Sequence, residues 1–175
     1  MTGPRTVVLV GNPKPGSRTL GAAVALARRV TGTDPDLVVD LAEVGPGLLG
    51  WGDPVVAGLV EQVSAADLLV VASPTYKATF TGLLKLFLDQ LPGQALQGVT
   101  AVPLMLGAGA GHALAPELSL RPVLTELGAA VPVRGLYVLD TAYDDPAAYD
   151  AWLDAALPVL ARHLDLAPLT TGATR

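Results

Sequence analysis

The hydrophobic residues of this chain fall into short apolar runs that alternate with segments of helical periodicity. Five runs are almost continuously apolar, and each predicts a buried strand: residues 6–10, 37–41, 68–72, 100–106 and 135–139. Between and after these runs, apolar residues recur at helical spacing, which predicts helices over residues 19–30, 54–64, 81–91, 116–127 and 146–164. Residues 43–52 are rich in Gly and Pro and are expected to form a loop. Asp53 followed by Pro54 predicts the N-cap and first position of the helix over residues 54–64.

This alternation of strands and helices indicates the fold class. Strands that are apolar throughout are typical of a parallel sheet with both faces covered, and right-handed crossovers join such strands. We therefore predict an α/β fold, a doubly wound five-stranded parallel sheet with helices on both faces. The sheet and its helices would form a single domain over residues 1–167, and residues 168–175 are predicted to be a flexible C-terminal tail.

Composition and charge narrow the classes of function. Of the 175 residues, 51% are hydrophobic and 15% charged, which argues against disorder. The net charge of −5 argues against a generic nucleic-acid or membrane binder. There is no Cys, which excludes disulfides and thiolate chemistry, and two His residues cannot form a His-rich metal site. No secretory or membrane-spanning segment is recognisable, so we expect a cytoplasmic protein without a metal.

The loop after the first strand contains residues suited to an anion. In doubly wound folds, ligands bind beyond the carboxyl ends of the strands, and a helix N-terminus favours a phosphate there. This loop contains Asn12 and leads directly into a helix; Ser17 and Thr19 supply hydroxyls, and Lys14 and Arg18 supply positive charge. Gly11 and Gly16 have the spacing of a P-loop, but Ser17 stands where that motif requires Lys, so a nucleotide triphosphatase is excluded. The alternative is an ordinary turn with a helix N-cap.

Two further loops are candidates for ligand contacts. The loop after the fourth strand has three glycines, Gly107, Gly109 and Gly111, but His112 occupies the sixth position of the dinucleotide pattern. This departure argues against a classical dinucleotide site, although the glycines would let a planar group approach the backbone. The loop after the third strand contains Pro74, Thr75, Tyr76 and Lys77. Taken one at a time, Tyr76 is better explained by buried aromatic packing and Lys77 by a solvated surface charge.

Together these segments resemble a known family. Residues 73–85 read S-P-T-Y-K-A-T-F-T-G-L-L-K, which is similar to the S-P-x-Y-x-x-x-x-x-G-x-L-K signature of the flavodoxin-like NAD(P)H-dependent FMN reductases. The nearest branch supplies reduced flavin to sulfonate monooxygenases. The loop after the first strand and the glycine loop, which L-R-P-V-L follows at residues 120–124, match those of this family in order and spacing. The resemblance covers most of the chain and implies a flavodoxin-like fold.

The resemblance also implies roles for individual residues. Ser17, Arg18 and Thr19 would hold the FMN phosphate, and Asn12 is a further candidate for cofactor binding. The isoalloxazine ring would be bordered on one side by Pro74, Thr75, Tyr76 and Lys77, and on the other by Gly107, Gly109 and His112. Hydride transfer from NADPH or NADH to flavin N5 needs no catalytic side chain, since the cofactors carry that chemistry. Lys77 and His112 are candidate stabilisers of charge on the flavin.

Several alternatives stay open at this level. A flavodoxin-type electron carrier without nicotinamide turnover, or a non-catalytic scaffold that has lost flavin, would share the fold. Some related reductases have an inserted Tyr with a π-bulge after the glycine loop and use flavin as a passing substrate. Residues 116–120 contain no aromatic residue, so prosthetic and passing FMN both stay open, as does the choice between NADH and NADPH.

Assembly and partners can also be anticipated. The helix around residues 83–91 is apolar on more than one face, which predicts a homodimer or tetramer; the alternative is burial under a loop of the same chain. The expected partners are flavin and nicotinamide, with a flavin-dependent monooxygenase as a candidate protein partner, and neither nucleic acid nor a membrane.

Overall fold

The computed structural model describes residues 3–164, in which five strands and six α-helices follow each other along the chain. The strands are β1 (Thr6–Val10), β2 (Leu37–Asp40), β3 (Leu68–Pro74), β4 (Thr100–Gly107) and β5 (Leu136–Leu139). The helices are α1 (Arg18–Thr31), α2 (Leu41–Val44), α3 (Pro54–Ser64), α4 (Gly82–Leu88), α5 (Arg121–Glu126) and α6 (Ala147–Leu164). Short 3₁₀ helices occupy Gly45–Leu49 and Ala110–His112, and a π-helix occupies Pro116–Leu120.

The strands form one parallel sheet in the order β2-β1-β3-β4-β5. Every residue of the three central strands is buried, whereas the edge strands β2 and β5 have exposed positions. Burial on both faces explains why the central strands are apolar throughout rather than alternating. The prediction of a doubly wound five-stranded parallel sheet is confirmed.

Successive strand residues face two separate cores, one on each face of the sheet. On β1, Val7 and Leu9 pack with residues of α3, α4 and α5, whereas Val8 and Val10 pack with residues of α1 and α6. Because successive side chains of a strand point to opposite faces, this division places helices on both sides of the sheet. Because the strands are parallel, the loops that follow β1, β3, β4 and β5 all emerge at one edge of the sheet, beyond the carboxyl ends of the strands.

The segment after β2 differs from its prediction. The expected strand over residues 37–41 ends at Asp40, because the Asp40 carboxylate accepts a hydrogen bond from the Ala42 N–H and caps α2. The expected loop over residues 43–52 contains the end of α2 and a 3₁₀ helix, and Leu48 anchors this segment in the core. The predicted N-cap at Asp53 is confirmed, since its carboxylate accepts from the N–H groups of Val55 and Val56.

Two helices also differ from their predictions. The helix expected over residues 81–91 is regular only from Gly82 to Leu88, with Thr81 as its N-cap. The helix expected over residues 116–127 begins with a π turn, in which the Arg121 N–H bonds to the Pro116 carbonyl five residues back. Pro122 has no N–H to continue the regular ladder, and its ring displaces the carbonyl four residues earlier.

Two expectations concern what lies beyond the sheet and its helices. Residues 168–175, the predicted tail, lie outside the described residues. Within residues 3–164, no helix combines the length and the apolar character that crossing a membrane requires.

Candidate functional site

A cavity of about 590 Å³ lies at the carboxyl edge of the sheet, a volume within the usual range for small-molecule sites. Its walls come from the loops after β1, β3, β4 and β5, which the parallel topology brings to one edge. The lining residues that carry polar side chains or present polar backbone are Asn12, Lys14, Gly16, Ser17, Arg18, Thr19, Thr75, Tyr76, Gly107, Asp140 and Tyr143. The cavity therefore combines cations, hydroxyls and an aromatic ring around one space.

One end of the cavity is the N-terminus of α1. Ser17 caps this helix, since its Oγ accepts from the Leu20 N–H at 3.3 Å. Among the described residues, the backbone N–H groups of Ser17, Arg18 and Thr19 have no hydrogen-bond partner. Three free N–H groups at the positive end of a 14-residue helix, with Arg18 and Lys14 beside them, form a cradle for an anion.

Buried polar contacts hold the loop that precedes α1. The Asn12 side chain donates to Thr19 Oγ1 at 3.0 Å, and its Oδ1 accepts from the Lys14 N–H at 2.9 Å. The Gly16 N–H donates to the Asp40 carboxylate at 3.0 Å, and Gly16 has a φ of 60°, which favours glycine. Asn12 therefore shapes the loop from within, and Asp40 at the end of β2 braces it from a neighbouring strand.

Gly11 has a different reason to be glycine from the P-loop spacing noted in the sequence. A Cβ on Gly11 would lie 2.3 Å from Leu84 Cβ, so the start of α4 packs directly on this backbone. The Thr81 hydroxyl donates to the Gly11 carbonyl, and Ser73 Oγ accepts from the Thr81 N–H at 3.0 Å. The loops after β1 and β3 are thus joined beneath the cavity.

The loop after β3 is a tight two-residue turn that carries backbone strain. The Tyr76 N–H donates to the Thr79 carbonyl at 2.9 Å, and the Thr79 N–H donates back at 3.2 Å. Lys77 and Ala78, between them, have φ values of 52° and 67°, the pattern of a type I′ turn, which normally contains Asn and Gly. Such strain is typical of ligand-binding loops that their surroundings hold in place. It leaves Tyr76 54% exposed at the mouth of the cavity.

Thr75 connects this turn to β4 and contributes an unpaired hydroxyl. Its N–H donates to the Leu106 carbonyl at 2.6 Å, which fixes the backbone beside the cavity. Its Oγ1 is buried close to the Tyr137 hydroxyl but makes no hydrogen bond of acceptable geometry within the described part of the chain. A buried hydroxyl without a partner in a ligand cavity is available to a bound molecule.

Tyr137 on β5 shapes the glycine loop after β4. Its hydroxyl donates to the Gly109 carbonyl at 2.7 Å, and a Cβ on Gly107 would lie 2.0 Å from that hydroxyl oxygen. Gly107 must therefore be glycine to admit the tyrosine, whereas a Cβ on Gly109 or Gly111 would meet open space. Burial raises the pKa of Tyr137 above its usual value of 10.0, which extends to higher pH the range over which the hydroxyl can donate to Gly109.

The loop after β5 completes the cavity on the side of the α1 N-terminus. Arg18 Nη1 donates to the Asp140 backbone carbonyl at 3.3 Å, and the Arg18 guanidinium lies 5.9 Å from the centre of the Tyr143 ring. Sequence reasoning missed Asp140, Tyr143 and Tyr137 because their partners are distant in the sequence: Asp140 and Tyr143 lie more than 120 residues from Arg18, and Tyr137 lies 28 residues from Gly109. The available signal was their position near the carboxyl end of β5: Tyr137 lies in the strand, and Asp140 and Tyr143 follow it.

The predicted site residues divide into two groups. Those that line the cavity are Asn12, Ser17, Arg18, Thr19, Pro74, Thr75, Tyr76 and Gly107. Lys77, Gly109 and His112 are exposed and lie outside this lining, on the loops that carry Tyr76 and Gly107. The structure thus brings the residues expected at a phosphate and one side of a ring into a single space. Lys14, which was noted for its charge, lies with them.

Comparison with known sequences gives a consistent result. The sequence pattern of the family described as NADPH-dependent FMN reductase matches residues 4–144. An FMN reductase (NADPH) of Escherichia coli is 34% identical over 145 residues, which are 81% of this chain and 76% of that protein. The NADH-dependent FMN reductase SfnF of Pseudomonas putida is 34% identical over 148 residues, 80% of each chain.

Solved structures agree with these sequence relatives. The apo form of the NADH:FMN oxidoreductase EMOB superposes with a TM-score of 0.79 at 32% identity, over 93% of this chain and 89% of that one. An oxidoreductase of Corynebacterium diphtheriae also gives 0.79, at 27% identity, over 94% and 98%. An archaeal flavodoxin gives 0.59 at 15% identity over 90% of this chain and 98% of that one, which shows a shared fold.

Proposed function

The chain belongs to the family of NADPH-dependent FMN reductases, and we propose that the cavity at the carboxyl edge of the sheet is its flavin site. The protein is accordingly an NAD(P)H-dependent oxidoreductase that acts with FMN. The observation that carries the assignment of the site is the cradle at the start of α1, where three unpartnered N–H groups adjoin Arg18.

The residues of the cavity fit FMN at both ends. At the phosphate end, the N–H groups of Ser17, Arg18 and Thr19 and the Arg18 guanidinium would hold the anion. At the ring end, the Thr75 hydroxyl is buried without a partner, and the strained turn presents Tyr76. A phosphorylated planar molecule would satisfy both sets of groups.

The cavity supplies positioning rather than acid–base chemistry. When bound, FMN supplies the hydride-accepting group, and the nicotinamide supplies the hydride. Thr75 and Tyr76 would orient the ring, and Arg18 would fix the phosphate so that the ring cannot slide along the cavity. Lys77 and His112 lie exposed on the loops beside it, and we propose that they stabilise negative charge near the ring.

The decisive experiment follows NADH and NADPH oxidation by the full chain, with FMN or riboflavin as acceptor. Flavin binding with nicotinamide oxidation supports the proposed reductase. Flavin binding without nicotinamide oxidation would instead indicate a flavodoxin-type electron carrier, and no flavin binding would indicate a scaffold. A variant with Arg18 replaced by Ala should lose FMN affinity, which links the activity to this cavity rather than to a contaminating reductase.

The acceptor that follows FMN is a finer part of the proposal. We propose that reduced flavin passes to a small acceptor or to a flavin-dependent monooxygenase, as the family resemblance implies. Tyr76 is 54% exposed where it lines the cavity, and this access from solvent supports delivery to a separate partner. Coupled turnover with a sulfonate monooxygenase, compared with a quinone, would distinguish these acceptors.

We also propose that the chain forms a homodimer or tetramer. The structure reduces one argument for it, because Leu84, Phe87 and Leu88 of α4 are buried in the core of their own chain. The support that remains is the exposed apolar surface beside α4, where Leu86 is 37% and Trp51 79% exposed. Light scattering that gave a 17.8 kDa particle at micromolar concentration would contradict this assembly.

A further inference from the structure

A negative charge lies among the positive charges of the proposed phosphate site. Asp140 follows β5 and lines the same cavity as Lys14 and Arg18. Its Oδ2 is 3.9 Å from Arg18 Nη1, and its side chain is 39% exposed. A carboxylate in this position opposes the binding of an anion, which makes it an unexpected component of the cradle.

The Asp140 charge is not required to hold Arg18 in place. The hydrogen bond from Arg18 goes to the backbone carbonyl of Asp140 at 3.3 Å, and this carbonyl is independent of the side chain. The Tyr143 ring supports the guanidinium from another side, at 5.9 Å. Within residues 3–164, the Asp140 carboxylate accepts no hydrogen bond, and its ion pair is the long 3.9 Å contact with Arg18.

From this arrangement we propose that Asp140 is a specificity-determining residue that weakens the hold on the flavin phosphate. The proposal rests on the flavin site proposed above. A flavin phosphate carries close to two negative charges at neutral pH, so one nearby half-exposed carboxylate lowers affinity by about 3- to 10-fold. Riboflavin has no phosphate and is unaffected. The site therefore prefers FMN over riboflavin by a smaller factor than its cations alone would give, and FMN leaves faster.

This proposal distinguishes two ways of using FMN. A prosthetic flavin benefits from the tightest phosphate site available, whereas a flavin that must reach a separate acceptor benefits from rapid release. The cradle has strong donors and a carboxylate that offsets them. Asp140 thus tunes the site toward exchange.

The test compares the full wild-type chain with the D140N variant and a matched control, D144N. Asp144 belongs to the same loop and is exposed, but it does not line the cavity. Dissociation constants for FMN and riboflavin are measured by flavin fluorescence, and FMN release by stopped flow. D140N should bind FMN about 3- to 10-fold more tightly and release it more slowly by a similar factor. Riboflavin affinity should change less than twofold, and D144N should match wild type.

Measurements at a second ionic strength provide a further test. The gain for D140N should shrink in 0.5 M salt, because the charges are partly exposed to solvent. Equal gains for both flavins, weaker FMN binding by D140N, or the same gain in D144N would each overturn the proposal while leaving the flavin site intact. If the wild-type chain bound neither flavin, the proposed flavin site would fail and this inference with it.

Discussion

In the strained turn after β3, we expect the substitution Ala78→Gly to stabilise the fold, whereas substitutions of Ala by Gly usually destabilise it. Ala78 has a φ of 67°, in the left-handed region where an L side chain costs about 1–2 kcal/mol, and its side chain is exposed. Glycine avoids that cost but loses about 0.5–1 kcal/mol through its greater freedom in the unfolded chain. The difference leaves a net stabilisation of about 0.5–1 kcal/mol. Urea unfolding should therefore show a higher midpoint with an unchanged slope.

The matched control is Ala113→Gly, the same chemical change at an exposed residue with a φ of −58°. Here the backbone is unstrained, so only the entropic effect remains and the variant should be less stable by about 0.5–1 kcal/mol. The two variants should thus move the midpoint in opposite directions. If both lowered it equally, the turn would carry no strain and the reasoning about Tyr76 would be wrong.

Three further predictions concern the phosphate, the glycine loop and alkaline pH. Arg18→Ala should weaken FMN binding by about 10- to 100-fold and riboflavin binding much less, since a charge-assisted hydrogen bond contributes about 1.5–3 kcal/mol; equal losses in a titration would contradict the phosphate assignment. Gly107→Ala should destabilise the fold by about 1–3 kcal/mol, because its Cβ would lie 2.0 Å from the Tyr137 hydroxyl, and the loss should shrink when Tyr137→Phe is added. Burial raises the pKa of Tyr149 from 10.0 to about 12. The contribution of its protonated hydroxyl to the free energy of unfolding is therefore complete below pH 10 and is lost as the pH rises toward 12. Unfolding free energies measured across this range should fall by up to about 2–3 kcal/mol. In Tyr149→Phe the unfolding free energy should depend less on pH, and an unchanged pH dependence in this variant would show that another group titrates.

Much of the fold was accessible from the sequence because burial imposes local patterns. The run T-V-V-L-V predicts β1 with the bounds that the structure has, since a strand covered on both faces must be apolar throughout. Asp53 and Pro54 predict the start of α3 because capping is decided within a few residues. Ser17 and Arg18 were found for the same reason, as they lie at the junction of a strand loop and a helix.

What the sequence did not show depends on contacts between distant segments. Arg18 and the Asp140 carbonyl are 122 residues apart, and no local pattern announces that they meet. Tyr137 resembles any aromatic residue of an edge strand until β4 places Gly107 beside its hydroxyl. The π turn had one overlooked signal in Pro122, whose missing N–H interrupts the helix ladder. The Gly and Pro residues at 45–52 led to the prediction of a loop, and α2, which begins after the Asp40 N-cap, was therefore not predicted.

The junction beneath the cavity has a consequence for motion. Leu84 packs on the backbone of Gly11, and the Thr81 hydroxyl bonds to the Gly11 carbonyl, so the two loops share their anchor. A fluctuation that lifts one loop must break the contacts that hold the other, which makes them one cooperative opening unit. The phosphate and the ring of an FMN bound in the proposed site would then be released in a single event. The backbone amides of both loops should exchange with solvent at a common rate.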